Sequence, residues 1–302
     1  MLATELTASF ARQPWWHHVQ ADLLHPDNAE TPFVSCATSL PVDDADPQQV
    51  SNSMFYSTQQ DIPAPVASSL VAAFDIRFAS PQGLRTCGYY IDAVTSLCGP
   101  PAHGKEPDLS LAVTPAGHIT DLHQDRVWDS SVALQVLGEK VMLLWPPTPR
   151  NLEIAAEHHR GAVGWLHIAI QNLEDGQMLH MKPGIKILLE PGTLHAVLSM
   201  TPSVILGYRV HHASYLSSIP KLIEWDISAT LARHHEGRDI VEQVMEESDD
   251  LLHLWLEQRD SSITKHKPAL RHLRNLWQNK LRPKLSARLM DIPPAENDDL
   301  SS

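Results

Sequence analysis

Between residues 66 and 215 the chain is a series of short apolar runs cut by proline and glycine. They are VAAFDIRF, LSLAVTP, VALQVLG, EKVMLLWPP, WLHIAI, MKPGIKILLEPGTLHAVLS and VILGYRVHH. Runs of about four to eight residues with turn formers between them predict the strands of a sandwich or barrel. One segment, RNLEIAAEHHRG at 150–161, reads as an inserted helix.

The flanks differ. Residues 1–65 hold Pro- and Asp-rich stretches, PVDDADPQQ and DIPAPV, and read as irregular with some helix around 3–24. After about residue 215 the spacing becomes helical: Ile240, Val244, Leu251 and Trp255 step by four and seven, and Leu270, Leu273 and Trp277 by three and four. Acids dominate 236–260, whereas 262–290 holds eight Lys or Arg and no acid. Either two antiparallel helices complement each other's charge, or the region pairs two copies of the chain as a homodimer. PPAENDDLSS reads as a solvated tail. The organisation is thus an N-terminal segment 1–65, a β core 66–215, a helical region 216–290 and a tail 291–302.

A hydrophobic share of 43% in 302 residues supports a sizeable core. A net charge of −13 argues against duplex nucleic acid as the main partner, because neutralising phosphates takes clustered Lys and Arg. It leaves room for a basic peptide. Cys36, Cys87 and Cys98 form no CxxC spacing and no disulfide framework. The N-terminus lacks the pattern of a signal peptide, and no apolar run approaches the roughly 20 residues that span a bilayer. A soluble intracellular protein, cytoplasmic or nuclear, with no membrane partner, is expected.

The stretch ITDLHQDRVWDSS places His123 two residues before Asp125. On a strand, such residues share a face, so a nitrogen and an oxygen donor point together. The pair is either a structural His–Asp hydrogen bond or two thirds of a two-His, one-carboxylate metal site. The third ligand would come from His195, which follows the second of two Pro-Gly turns flanking a short apolar strand. His167 lies in the apolar run WLHIAI and reads as a core histidine. His180 precedes a turn and reads as exposed.

Three pieces in order carry a resemblance: T-x-x-H-x-D (Thr120, His123, Asp125), then Q-x-x-G-x-K followed by VMLLWPP (Gln135, Gly138, Lys140), then PGIKILLEPGTLH. Over about 110–212 the chain resembles the JmjC family of Fe(II)/2-oxoglutarate oxygenases. The resemblance implies a mainly β fold with helices: a double-stranded β-helix (jelly-roll or cupin) barrel, followed by an α-helical C-terminal region. It implies that His123, Asp125 and His195 bind Fe(II) and so form the catalytic centre. It implies that Lys140 pairs with the distal carboxylate of 2-oxoglutarate, with Thr120 bonding the same group. Without the resemblance, Lys140 is an exposed strand lysine and Thr120 an ordinary strand threonine. Arg209, fourteen residues past His195, stands where some other 2-oxoglutarate oxygenases keep a carboxylate-binding arginine.

Two features depart from the family pattern. The amide side chain eight or nine residues before the lysine is missing, with Ser131 and Val132 in that region and Asp129 nearby. The upstream tyrosine has no counterpart, since Tyr56, Tyr89 and Tyr90 are wrongly spaced. The chemistry implied uses O2 and yields succinate, CO2 and hydrogen abstraction from a substrate C–H bond. A small molecule is favoured over a peptide side chain or a demethylation substrate, since no zinc-finger spacing or reader module accompanies the core. A metal cupin working without 2-oxoglutarate, in which Lys140 points away from the metal, and a non-catalytic binding barrel are the other classes.

Overall fold

A computed structural model describes residues 33–35, 49–50, 53, 70–77, 109–125, 127, 130–158, 165–210, 218–223, 225, 238–257 and 266–291. The helix expected around 3–24, the three cysteines, Tyr56, Tyr89, Tyr90, Asp129 and the tail beyond 291 lie outside these residues. The strands are β1 (Phe33–Ser35), β2 (Val71–Arg77), β3 (Leu109–Thr114), β4 (Ile119–Gln124), β5 (Ser130–Leu137) and β6 (Lys140–Trp145). Helices α1 (Pro149–His158) and α2 (Trp165–Asn172) follow. Then come β7 (Gln177–Met181), β8 (Lys186–Leu189), β9 (Leu194–Ser199) and β10 (Ser203–Val210). The C-terminal helices are α3 (Arg238–Glu257), α4 (Lys267–Leu276), a π-helical turn (Trp277–Leu281) and α5 (Arg282–Asp291).

These elements form two compact units. The first holds every strand, in two antiparallel sheets ordered β1-β2-β3-β10-β5-β8 and β4-β9-β6-β7. From β3 to β10 the chain passes repeatedly from one sheet to the other, as the predicted runs of short strands allow. Alternation along the strands sets the core. Met142 and Met181 of the four-stranded sheet pack with Leu189 of the six-stranded sheet, and Leu144, Leu179, Ile187 and Val197 close around them. Such interdigitation between facing sheets is the main source of stability in this architecture. The segment 1–65, expected to be irregular, contributes β1 as an edge strand on β2.

The run WLHIAI corrects one expectation. It is not a strand but the body of α2. Ala169 and Leu173, four residues apart, are buried, while Ile170 on the other side is 60% exposed. A short apolar run satisfies either period, and here the helical one wins. His167 is consequently exposed rather than a core histidine.

The second unit is helical and has its own core. Leu152 of α1 and Val127 join Ile219, Leu222, Leu252, Leu270 and Trp277 in one buried cluster. The predicted insert, α1, therefore belongs to the helical unit. Thr148 caps it, its Oγ1 accepting from the Asn151 amide at 3.1 Å, with Pro149 in the first turn. The segregated charges meet at Asp249 of α3, which accepts from Trp277 Nε1 at 2.7 Å and from Arg282 Nε at 2.9 Å. No helix among the described residues is long and apolar enough to cross a membrane.

The turn between β5 and β6 explains the Q-x-x-G-x-K pattern. Gln135 is fully buried and its Nε2 donates to the carbonyls of Leu137, at 2.6 Å, and Gly138, at 3.2 Å. Gly138 has a φ of 72°, and a Cβ there would lie 2.1 Å from the Pro202 carbonyl oxygen and 2.8 Å from the Ser203 Cβ. Only glycine suits both the left-handed backbone and the contact. Gly138→Ala is expected to destabilise the chain by about 3 kcal/mol, from backbone strain plus overpacking. Denaturant unfolding checks this, and an unchanged midpoint would contradict it.

Candidate metal centre

The site is built where β4 lies against β9. Thr120 pairs with Val197 and His123 with His195, so three residues of β4 are taken up against two of β9. This bulge turns His123 onto the face that Thr120 already occupies, which an unbroken strand would forbid at that spacing. Asp121 supports the bulge, its Oδ1 accepting from the Leu122 amide at 2.7 Å.

Both histidines are oriented by backbone. His123 Nδ1 lies 2.8 Å from the Asp121 carbonyl oxygen, and His195 Nδ1 lies 3.1 Å from that of Thr193. A carbonyl only accepts, so each Nδ1 donates to it and each Nε2 is the ring nitrogen turned towards Asp125. The two rings sit 4.1 Å apart between centroids, tilted by 50°. Asp125 Oδ1 faces both, 4.0 Å from His123 Nε2 and 3.9 Å from His195 Nε2. Neither separation is a hydrogen bond. Both separations are at ion-pair distance.

The three donor atoms lie within 4.8 Å of one another. Two imidazoles and one carboxylate suit Fe(II), and thiolate is absent from the set.

The electrostatics favour the metal-ready state. Burial pushes the Asp125 carboxyl up, but His195, His123, the Ser131 hydroxyl and Arg209 together outweigh it and hold it below its ordinary value. Burial, and then His123, push His195 down to about 4, against the opposing pull of Asp125 and the Thr193 bond. At neutral pH His195 is uncharged and Asp125 an anion, the states in which such groups can take up a metal ion.

Register locates the remaining residues. Leu144 pairs with His195, Met142 with Val197 and Lys140 with Ser199. Directly paired residues share a face, so Lys140 lies on the ligands' face of the sheet, four residues along β6 from Leu144. It is 2% exposed, so it is not the exposed strand lysine that the sequence also permitted. Among the described residues no carboxylate pairs with it. Burial alone pushes it down to about 7. Thr120 is half-buried on the same face. Arg209 pairs with Ser131, whose hydroxyl bonds Asp125, and its charge acts on that carboxylate. His180 is exposed, as expected, with its Nε2 2.7 Å from Glu139 Oε2.

Two polar residues near this face were given no role in the sequence reading. Ser131 contacts Asp125, and His118 is buried beside Lys140, pushed down to about 4 by burial and then by the lysine's charge. His118 lies two residues before Thr120, on the inward parity of β4, and that was the available signal.

No protein-family profile matches the chain, and no curated protein matches it. Solved structures give weak likenesses. Drosophila melanogaster CENP-C bound to CAL1 aligns at 14% identity over 33% of this chain and 60% of that one, with a TM-score of 0.24. The CENP-C cupin domain aligns at 16% over 33% and 59%, with a TM-score of 0.23. KdgF from Halomonas sp. aligns at 13% over 37% and 75%, with a TM-score of 0.24. The chain thus spans about 60% of the CENP-C chains it matches. At these scores the likeness carries no argument about function.

A buried lysine makes stability depend on pH in a defined direction. Unfolded, Lys140 keeps its proton up to about 10.5; folded, it releases it near 7. Between these values the unfolded chain binds more protons, so stability rises with pH across that window. Lys140→Met is expected to raise the melting temperature of the metal-free protein at pH 7, with the gain shrinking as pH approaches 10.5. A gain that does not vary with pH would contradict the assignment.

Proposed function

We propose that this chain is an Fe(II)- and 2-oxoglutarate-dependent oxygenase of the JmjC type, acting on a C–H bond of a small molecule. One observation carries the reading. The face that gathers two Nε2 atoms and a carboxylate also bears a fully buried lysine with no described carboxylate to neutralise it. A buried ammonium calls for a counter-anion, and an anionic cosubstrate reaching from the metal supplies one. The passage of successive strands between two sheets supports a double-stranded β-helix of the cupin kind.

Bound Fe(II) and 2-oxoglutarate supply oxidative decarboxylation, to succinate and CO2, with O2-dependent attack on a substrate C–H bond. The chain's residues do the rest. His123, Asp125 and His195 would hold the ion. The backbone carbonyls of Asp121 and Thr193 hold the imidazole tautomers. His195, His123, the Ser131 hydroxyl and Arg209 hold the Asp125 carboxyl below its ordinary value against the effect of burial. Lys140 anchors the cosubstrate's far end, and Met142, Leu144 and Val197 line the sheet face between and limit water. A cupin that dispenses with 2-oxoglutarate would have Lys140 facing away, and its burial on the ligands' face argues against that. The lack of zinc-finger spacing and the net charge of −13 support a small molecule over chromatin.

Succinate release from 2-oxoglutarate, measured with Fe(II), ascorbate and air without added substrate, tests this reading. The wild-type chain is expected to turn over slowly, and Asp125→Ala and His195→Ala are expected to lose at least about 100-fold, since each removes a ligand. Equal succinate from all three chains would sink the reading.

A further inference from the structure

The row Arg209–Ser131–Leu189 crosses β10, β5 and β8. Two of its members show which way it faces. The Ser131 hydroxyl bonds Asp125, and Leu189 packs with Met142 and Met181 of the other sheet. Directly paired residues share a face, so Arg209 also belongs to the inner side of its sheet, at the end where the three donors gather. It is half-buried, and its charge acts on Asp125. Lys140 follows the turn at the other end of β5 and takes no part here.

The next inward row holds Ser110, Gly207 and Ala133, on β3, β10 and β5. None of these carries a side chain larger than a hydroxymethyl group, so the wall beside the arginine is low. The donors are also unevenly covered. The side chain of His195 is 6% exposed, and those of His123 and Asp125 are 37% exposed. The centre therefore opens on the side of Asp125, the carboxylate on which Arg209 acts.

We propose that Arg209 anchors the substrate, and that the substrate is a small monocarboxylate whose carboxylate docks on the guanidinium while its C–H bond lies at the metal. This rests on the reading of His123, Asp125 and His195 as an Fe(II)/2-oxoglutarate centre. A guanidinium presents five N–H donors in a planar fork, more than one carboxylate takes up, so Arg209 can act on Asp125 and still receive a second anion. Counting formal charges, a divalent ion and Arg209 outweigh Asp125 and one chelating carboxylate by a single positive charge. A monoanion cancels that charge, whereas a phosphate dianion overshoots it. Arginine suits the role better than lysine, because its fork fixes the direction of the carboxylate and so of the carbon chain behind it.

Ligand-observed NMR tests this on the full-length chain, loaded with Mn(II) and saturated with 2-oxoglutarate. Mn(II) broadens the proton signals of any molecule held near it, so the readout reports placement at the metal without turnover. The probes are butyrate, pentanoate and hexanoate, each against its primary amide, which keeps the shape and removes the charge. The wild-type chain is expected to hold at least one acid roughly tenfold more tightly than its amide, the contribution of a charge-assisted bond. Arg209→Met is expected to abolish that preference by weakening the acid alone, and Arg209→Lys to retain part of it. Mn(II) and 2-oxoglutarate affinities, measured on the same chains, should hardly change. A wild-type chain that holds no acid more tightly than its amide would overturn the proposal, as would an undiminished preference in Arg209→Met. Loss of 2-oxoglutarate affinity in Arg209→Met, with the acid preference intact, would assign Arg209 to the cosubstrate. Loss of Mn(II) affinity alone would reduce it to a support for Asp125. A wild-type chain that takes up no Mn(II), or takes Mn(II) without 2-oxoglutarate, would overturn the reading of the centre itself, and this proposal with it.

Discussion

The pairing of His123 with His195 across β4 and β9 is the contact on which the site depends. It exists only because β4 carries one residue more than β9 over the same stretch. Remove that residue and His123 turns to the opposite face, since side chains alternate with a period of two. Asp125 then has no second imidazole to face. The bulge is thus the structural reason for the three-residue spacing between Thr120 and His123. A strand edge re-aimed in this way holds its donors on backbone, which gives tighter placement than a loop would.

Lys140 shows the second constraint, a buried charge that works against stability. Folding must strip an ammonium of water, and burial moves it from 10.5 to about 7. The turn that starts β6 is correspondingly firm. Gln135 clamps the carbonyls of Leu137 and Gly138, and Gly138 packs so closely on Pro202 and Ser203 that no side chain fits. Firmness in that turn fixes where the lysine enters the interior. On this account the Q-x-x-G-x-K pattern is a placement device: one residue clamps, one bends and one reaches inward.

Much of this was legible in the sequence because it depends on local pattern. The punctuated apolar runs became strands, with WLHIAI the exception, where a helical period and a strand run were indistinguishable over so few residues. The His123/Asp125 spacing and the His195 position after a Pro-Gly turn were both local signals. The bulge was not legible, because it is a mismatch between two strands far apart in the chain. Nor was the buried polar cluster of Thr114, Ser199 and Ser203, which hydrogen bonds between separate strands bring together. The membership of α1 in the helical core, through Leu152, is likewise a tertiary fact that no window of sequence contains. Arg209 was singled out by analogy as a carboxylate-binding arginine, and its register opposite Ser131, with its charge acting on Asp125, was not legible in the sequence.

The most direct measurement is an anaerobic optical titration: Fe(II) is added to the full chain, then 2-oxoglutarate, and the visible charge-transfer band of the chelate is followed. The account predicts a band that Asp125→Ala abolishes and that Lys140→Ala shifts to much higher 2-oxoglutarate concentration. Iron binding with no band at any 2-oxoglutarate concentration would contradict the cosubstrate assignment. Failure to bind iron at all would contradict the metal centre and reduce His123, Asp125 and His195 to a structural cluster.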